Sequence, residues 1–259
     1  LAKSVWWKPY RWSTEAAFLL HFDEIKPYGD PESLFLKRRE IAAANADSQL
    51  LERDQVPKDG APRTAANAKP MAAPGLLIGD AALCEDGRFG GGLCFPGGDG
   101  ALQLAGQKWN VDRTVEFWVK PTELPRGSAV LFQALRTKHP EGRPATLELM
   151  SDGSLRFIWL DKPSQATEKK LKAGEWAHVA FRYAGKWGKW APLGKPMQAQ
   201  ILINGEDALS APITPDVSNF SATPQDVVYW IGNDSTGKRG FHGTIDELRF
   251  SESVQEYFK

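Results

Sequence analysis

Across 259 residues the chain is 42% hydrophobic, enough for a sizeable core, and its 32 basic side chains balance 32 acidic ones. With no net charge, nothing draws it to a nucleic-acid backbone or an anionic membrane surface. No apolar run approaches the roughly 18 residues of a membrane helix, so membrane insertion is not expected either.

The chain opens "LAKSVWWKPYRW", without the apolar segment of a signal peptide. A mature chain, an excised domain and a cytosolic protein all begin this way. Residues 1–16 read as an N-terminal extension, and 17–259 as a single domain. "AFLLHFDE", residues 17–24, reads as its first strand. Residues 25–81 read as an insertion, because they carry too few large apolar side chains for a core. Within it, 30–54 has a helical pattern, with Asp30 placed as N-cap and Pro31 at the first helical position. An Ala/Pro-rich connector follows over 55–75.

From residue 82 the pattern is β throughout: short runs rich in aromatic and branched residues, separated by Gly and Asn/Asp turns. Cys84 and Cys94 bracket "CEDGRFGGGLC". A turn centred near Phe89 sets the thiols opposite each other, which permits a disulfide and an oxidising compartment. The alternative is two buried, reduced cysteines acting as small hydrophobes. "LELMSDGSLRF" predicts a tight hairpin with a type I′ turn at Asp152-Gly153. "WAHVAFRYAG" and "AQILINGED" form a second pair, joined by the excursion "KWGKWAPLGKPM". Strands without interleaved helices predict an all-β, two-sheet antiparallel sandwich of jelly-roll type.

Trp rings stack on sugar faces, so the exposed ones are candidate ligand contacts. Trp187 and Trp190 lie in the Gly/Lys/Pro-rich excursion. Trp118 shares its strand face with Thr114, Glu116 and Lys120, which points it to an open groove; Trp230 is core or concave face. Trp159 and His178 read as strand-interior residues. "GNDSTGKR", residues 232–239, imitates a phosphate-binding loop. It has Arg239 where Ser or Thr should hold magnesium, and a strand follows it rather than a helix. The spacing therefore reads as a β turn. No E-x-D-x-x-E run and no G-x-S-x-G elbow occurs, so no catalytic residue is assigned.

One residue in "GFHGTIDELRF", 240–250, does not fit its strand. Alternation places Asp246 in line with Leu248 and Phe250, which look like core, and a buried carboxylate needs a partner. Backbone N–H groups or Arg249 could supply it. A transition metal held by His21, Asp23, His242 and Asp246 matches no zinc signature.

In order, "LLHFDE", "GRFGGGLCFPG", "TVEFWVKP", "EWAHVAFRY", "ILINGE" and "GTIDELRF" resemble a concanavalin A-like jelly roll of the laminin G-like type. The resemblance covers roughly 17–24 and 82–251. It implies two antiparallel sheets packed face to face, and in many relatives a structural calcium ion. The implied ligands are Asp23 or Glu24 at the end of the first strand, a carbonyl at Gly90, and Asp246. It further implies a non-catalytic, lectin-like module that binds a glycan or polysaccharide. Such a module would be extracellular, periplasmic or at a cell surface, alongside other domains of a larger protein. The alternatives are a protein–protein adhesion module, and a glycoside hydrolase or lyase with an unrecognised site.

Overall fold

The computed structural model describes residues 16–20, 64–65, 75–104, 113–136, 145–183, 197–213 and 227–251. It describes no side chain for 16–20, 64–65, Arg136 and Met197. The described residues form strands and turns. In chain order the strands are β1 (Ala16–Leu20), β2 (Thr64–Ala65), β3 (Gly75–Ile78), β4 (Ala82–Cys84), β5 (Gly92–Pro96), β6 (Ala101–Leu104), β7 (Arg113–Pro121) and β8 (Ser128–Arg136). They continue with β9 (Ala145–Met150), β10 (Leu155–Trp159), β11 (Lys162–Pro163), β12 (Ala177–Tyr183), β13 (Met197–Ile203), β14 (Glu206–Ile213), β15 (Val227–Ile231) and β16 (His242–Ser251).

Two antiparallel sheets of eight strands each result. The first runs β14-β13-β12-β7-β16-β5-β4, with β1 also paired to β16. The second runs β11-β10-β9-β8-β15-β6-β3-β2. Neighbours far apart in sequence, such as β7 and β16, alternate with hairpin neighbours, as a jelly roll requires. The sandwich expected from the sequence is the fold observed. The span 25–81 is less uniform than expected: its end supplies β2 and β3, with Leu77 and Ile78 buried. The helix expected over 30–54 lies outside the described residues.

Alternating side chains from the two inner faces make the core. Phe132, Phe157 and Tyr229 of the second sheet meet Phe181 and Phe250 of the first. Ring centroids are 5.8 Å apart for Phe132 and Phe250, 5.5 Å for Phe157 and Phe181, and 4.9 Å for Tyr229 and Phe250. Each buried ring stabilises the packed sheets by roughly 2–3 kcal/mol in area burial alone. Trp159 sits among them, edge-on to Tyr183 with centroids 5.0 Å apart.

The turns show where local sequence is followed literally. Asn204 and Gly205, φ 51° and 77°, form the two-residue type I′ turn joining β13 to β14. At Asp152-Gly153 only Gly153 has positive φ, 85°. Its N–H donates to the Met150 carbonyl at 3.0 Å, and Met150 N–H donates to Ser154 at 2.9 Å. That is a longer loop with glycine at its left-handed position, not the expected type I′ turn, because Asp152 keeps negative φ by accepting from Ser154 N–H at 3.0 Å. Cys84 and Cys94 are joined in a disulfide across β4 and β5, Cα atoms 5.9 Å apart. Cys84 stands opposite Gly92 and Ala82 opposite Cys94, so the half-cystines are diagonal neighbours.

Candidate functional site

β16 pairs with β7, but their register slips in the middle. Ile245 faces Val119 and Asp246 faces Trp118; then Arg249 faces Glu116 and Phe250 faces Val115. The slip is a bulge containing Glu247, whose φ is 53°. An L side chain in that conformation costs on the order of 1–2 kcal/mol. The extra residue resets the alternation. Ile245 points into the core before the bulge, and Leu248 and Phe250 do so after it. Asp246 therefore does not share a face with Leu248 and Phe250, as strict alternation predicted. It stands on the outer face of the first sheet.

That face is covered at Asp246, which is fully buried. The turn between β4 and β5 folds over it, closed by Gly87 N–H donating to the Gly90 carbonyl at 2.9 Å. Arg88 and Phe89 donate their N–H groups to Asp246 Oδ2 at 2.8 and 3.0 Å. Glu247 N–H donates to Oδ1 at 2.7 Å. One carboxylate thus caps both a turn and a bulge. Burial lifts its pKa to about 6; the Phe89 N–H opposes the rise and the charge of Glu247 adds to it.

The same turn covers Trp118. Phe89 meets the indole edge-on at 5.9 Å, and the Arg88 guanidinium lies 4.9 Å above it. Across the sheet, His178 of β12 stands opposite Trp118, ring centroids 5.6 Å apart. Its Nε2 is 3.3 Å from Glu116 Oε2, while Arg249 holds Oε1 through Nε and Nη2, each at 2.5 Å. Glu116, His178 and Asp246 have no exposed surface. A further polar row adjoins them: Arg182 Nε donates to Gln200 Oε1 at 2.7 Å, and Gln200 Nε2 to Ser210 Oγ at 2.8 Å. Chemically this face offers a carboxyl whose pKa burial lifts to about 6, and a second carboxylate shared between an imidazole and a guanidinium.

Two of the tryptophans expected at a binding surface are buried. Trp118 is 3% exposed under Arg88 and Phe89, and Trp230 is 0% exposed in an apolar cluster with Ile78, Ala101 and Leu135. Their strand positions were read correctly, but other residues lie over both rings. Trp187 and Trp190 lie outside the described residues. So do Asp23 and Glu24.

Gly90 and Asp246 do come to one corner, as the resemblance implied, but they meet through N–H groups. Three N–H groups donate to Asp246, two to Oδ2 and one to Oδ1, and the Gly90 carbonyl accepts Gly87 N–H, so each keeps one lone pair. Among the described residues no three His, Cys, Asp or Glu side chains form a metal cluster. The described residues supply one carboxylate and one carbonyl of the six to eight oxygens calcium takes, and the other implied ligands, Asp23 and Glu24, lie outside them. His242 is also engaged elsewhere, with Nδ1 3.0 Å from Glu123 Oε1.

The loop 232–239 runs from β15 to β16 with no helix behind it. Asp234 Oδ1 takes the Thr236 and Lys238 N–H groups at 3.0 and 3.2 Å, and the Thr236 hydroxyl at 2.7 Å. Arg239 bridges Asp234, at 2.9 Å, to the buried Glu148, which Arg156 also pairs at 2.6 Å. Burial raises the Asp234 carboxyl, but these bonds more than offset it and leave it below the usual range. The donors a phosphate would need are spent on Asp234. The pairings of Glu116 with Arg249 and of Glu148 with Arg239 were missed, since each joins residues distant in sequence, and Arg249 had been considered only for Asp246. The outward alternation of Thr114, Glu116, Trp118 and Lys120 was the available signal.

The laminin G-like profile of the concanavalin A-like lectin/glucanases superfamily matches residues 96–255. No curated protein sequence matches the chain. Domain 4 of AbnA, a GH43 extracellular arabinanase from Geobacillus stearothermophilus, solved with arabinotriose, superposes with TM-score 0.51 at 21% identity, covering 74% of this chain and 87% of that one. Trypanosoma rangeli sialidase with sialic acid gives 0.55 at 14% identity, covering 87% and 36%. A mutant of that enzyme displaying trans-sialidase activity gives 0.51 at 17%, covering 70% and 28%. The chain thus spans about a third of the sialidases' length. At these identities the likeness is one of fold.

These neighbours are glycan-active enzymes or a domain of one, which overturns the expectation of a chain that is not an enzyme. The sequence motifs sought and not found belong to particular families, so lacking them does not mark a chain as non-catalytic. With a profile match over more than half its length and two packed antiparallel sheets to carry it, the chain belongs to the concanavalin A-like lectin/glucanase superfamily.

Proposed function

We propose that this chain is the carbohydrate-binding jelly roll of a secreted or cell-surface glycan-active enzyme. Superfamily membership carries the reading, supported by the arabinanase domain held in complex with arabinotriose. The disulfide between Cys84 and Cys94 supports an oxidising compartment. Its partners in this reading are a glycan and the other domains of a longer protein.

The test is a glycan array that includes arabino-oligosaccharides and sialylated glycans. Every glycan that binds is then incubated with the protein, and its products are separated by chromatography. Binding to a defined glycan set supports the reading, and cleavage locates the chemistry on this chain. A protein that binds no glycan on the array removes the reading, and an adhesion module takes its place.

A further inference from the structure

Gln133 Nε2, Thr146 Oγ1 and Arg239 Nη2 are buried and find no hydrogen-bond partner among the described residues. They belong to one patch. Gln133 of β8 stands opposite Thr146 of β9, and Phe132 and Leu147 beside them belong to the core. Alternation therefore puts Gln133 and Thr146 on the outer face of the second sheet, where both are 0% exposed. Glu148, two residues along β9, shares that face, and Arg239 donates to it through Nη1. Asp234 holds Arg239 Nε at 2.9 Å, and the Arg239 carbonyl accepts Val130 N–H at 2.9 Å, so the side chain is fixed and Nη2 is left over. The Gln133 amide is fixed too. Its Oε1 accepts Ser235 N–H at 3.0 Å, which leaves the NH₂ group without an acceptor.

A buried donor without an acceptor is destabilising, and a fold keeps such groups where a ligand supplies the partner. The amide and the guanidinium offer only hydrogens, while the hydroxyl both gives and accepts. The ligand must therefore be rich in acceptor oxygens. Charge narrows it further. Arg156, at 2.6 Å, and Arg239 set two positive charges against Glu148 and Asp234. The patch is balanced, so a ligand bringing its own charge would leave that charge unpaired in a buried place. Neutral hydroxyl groups meet the donors and can return a hydrogen to Thr146 or Glu148. The rim is partly open, since the side chains of Arg156 and Arg239 are 30% and 25% exposed.

We infer that the recess around Gln133, Thr146 and Arg239, on the outer face of the second sheet, is a subsite for a neutral sugar. The sugar lies on the half-exposed arginines and directs adjacent hydroxyls to the floor. That floor is closed to water in the free protein, and Arg239 turns outward to admit them. The inference rests on the carbohydrate reading above, and adds to it a place and a selection by charge.

Parent, Thr146→Val, Thr146→Ser and Gln133→Met are titrated with a neutral arabino-oligosaccharide, with any other neutral glycan bound on the array, and with a sialylated glycan. Each protein is also unfolded in urea. Valine keeps the shape of threonine and removes a hydroxyl that has no partner, so the Thr146→Val midpoint should equal or exceed the parent's. Its binding of neutral glycans should weaken about three- to tenfold, with Thr146→Ser within about twofold of the parent. Gln133→Met should weaken binding about as much as Thr146→Val. It also gives up the Ser235 bond, so Thr146→Val tests the site even if Gln133→Met fails to fold. Unchanged binding in Thr146→Val overturns the subsite and leaves the carbohydrate reading standing. A lowered Thr146→Val midpoint does the same, because an ordered water would then already meet the hydroxyl. Preference for the sialylated glycan also overturns it. A parent that binds no glycan fails the carbohydrate reading itself, and the subsite with it.

Discussion

Asp246 shows how one side chain can be costly and necessary together. Its carboxylate holds three N–H groups in place, yet burial raises its pKa from the ordinary 3.8 to about 6. A carboxyl raised on folding binds its proton more tightly in the native state. Stability therefore falls as pH rises between about 3.8 and 6, and the loss is complete above that window. The shift corresponds to a loss of roughly 2–3 kcal/mol at neutral pH. Asp246→Asn does not titrate, but it sets an NH₂ against one of the three donors, at roughly 1–3 kcal/mol. Urea unfolding of both proteins should show the variant's stability relative to the parent's rising by roughly 2–3 kcal/mol between pH 4 and pH 7. A gap that ignores pH would mean that Asp246 stays ionised throughout. Since N–H donors take all but one lone pair of this carboxylate, thermal melts in millimolar calcium and in chelator should coincide. A midpoint raised by calcium would place an ion here, with ligands from the Asp23–Glu24 segment.

Among elements, the β4–β5 hairpin does the most for its size. It brings the disulfide, the cap on Asp246 and the cover on Trp118 to one corner. Replacing Cys84 and Cys94 together by serine opens a loop with a sequence separation of 10. The chain-entropy argument gives a loss of roughly 2–3 kcal/mol. Because the freed turn also covers Trp118, its fluorescence environment should change at denaturant concentrations well below global unfolding. A single transition, with all probes coincident, would show that the turn holds without the bridge. The β10–β11 turn offers the opposite change. Asp161 is exposed at φ 65°, so Asp161→Gly relieves a strained conformation and should raise stability by about 0.5–1 kcal/mol, read as a higher urea midpoint at unchanged slope.

For the whole molecule, stability rests on the aromatic contacts between sheets. Phe132 touches Phe181, Tyr229 and Phe250, and so ties β8 and β15 to β12 and β16. Phe132→Ala should cost about 3–5 kcal/mol in urea unfolding, most of the margin of an ordinary domain. Buried ion pairs on the outer faces are a second set. Glu116→Ala would remove the buried carboxylate that Arg249 and His178 share and should cost about 3–5 kcal/mol.

Amino-acid order alone determined what depends on near neighbours. Period-two alternation marked most strands and their core faces; Asn204-Gly205 marked a hairpin; two cysteines across a glycine-rich turn marked the disulfide. Each rests on geometry within a dozen residues, where backbone preference acts without help. Only the tertiary structure decided the rest. Whether Trp118 faces a ligand depended on Arg88 and Phe89 arriving from another hairpin, not on its own strand. Asp246 looked like core because alternation counts residues, while a bulge at Glu247 adds one and turns the face over. The sequence marks no bulge there, since Glu is an unlikely residue for positive φ and is held in it by β7 on one side and the capped turn above. Glu116 found Arg249 and His178 across three strands, and charges so far apart in the chain meet only when the sheet is assembled.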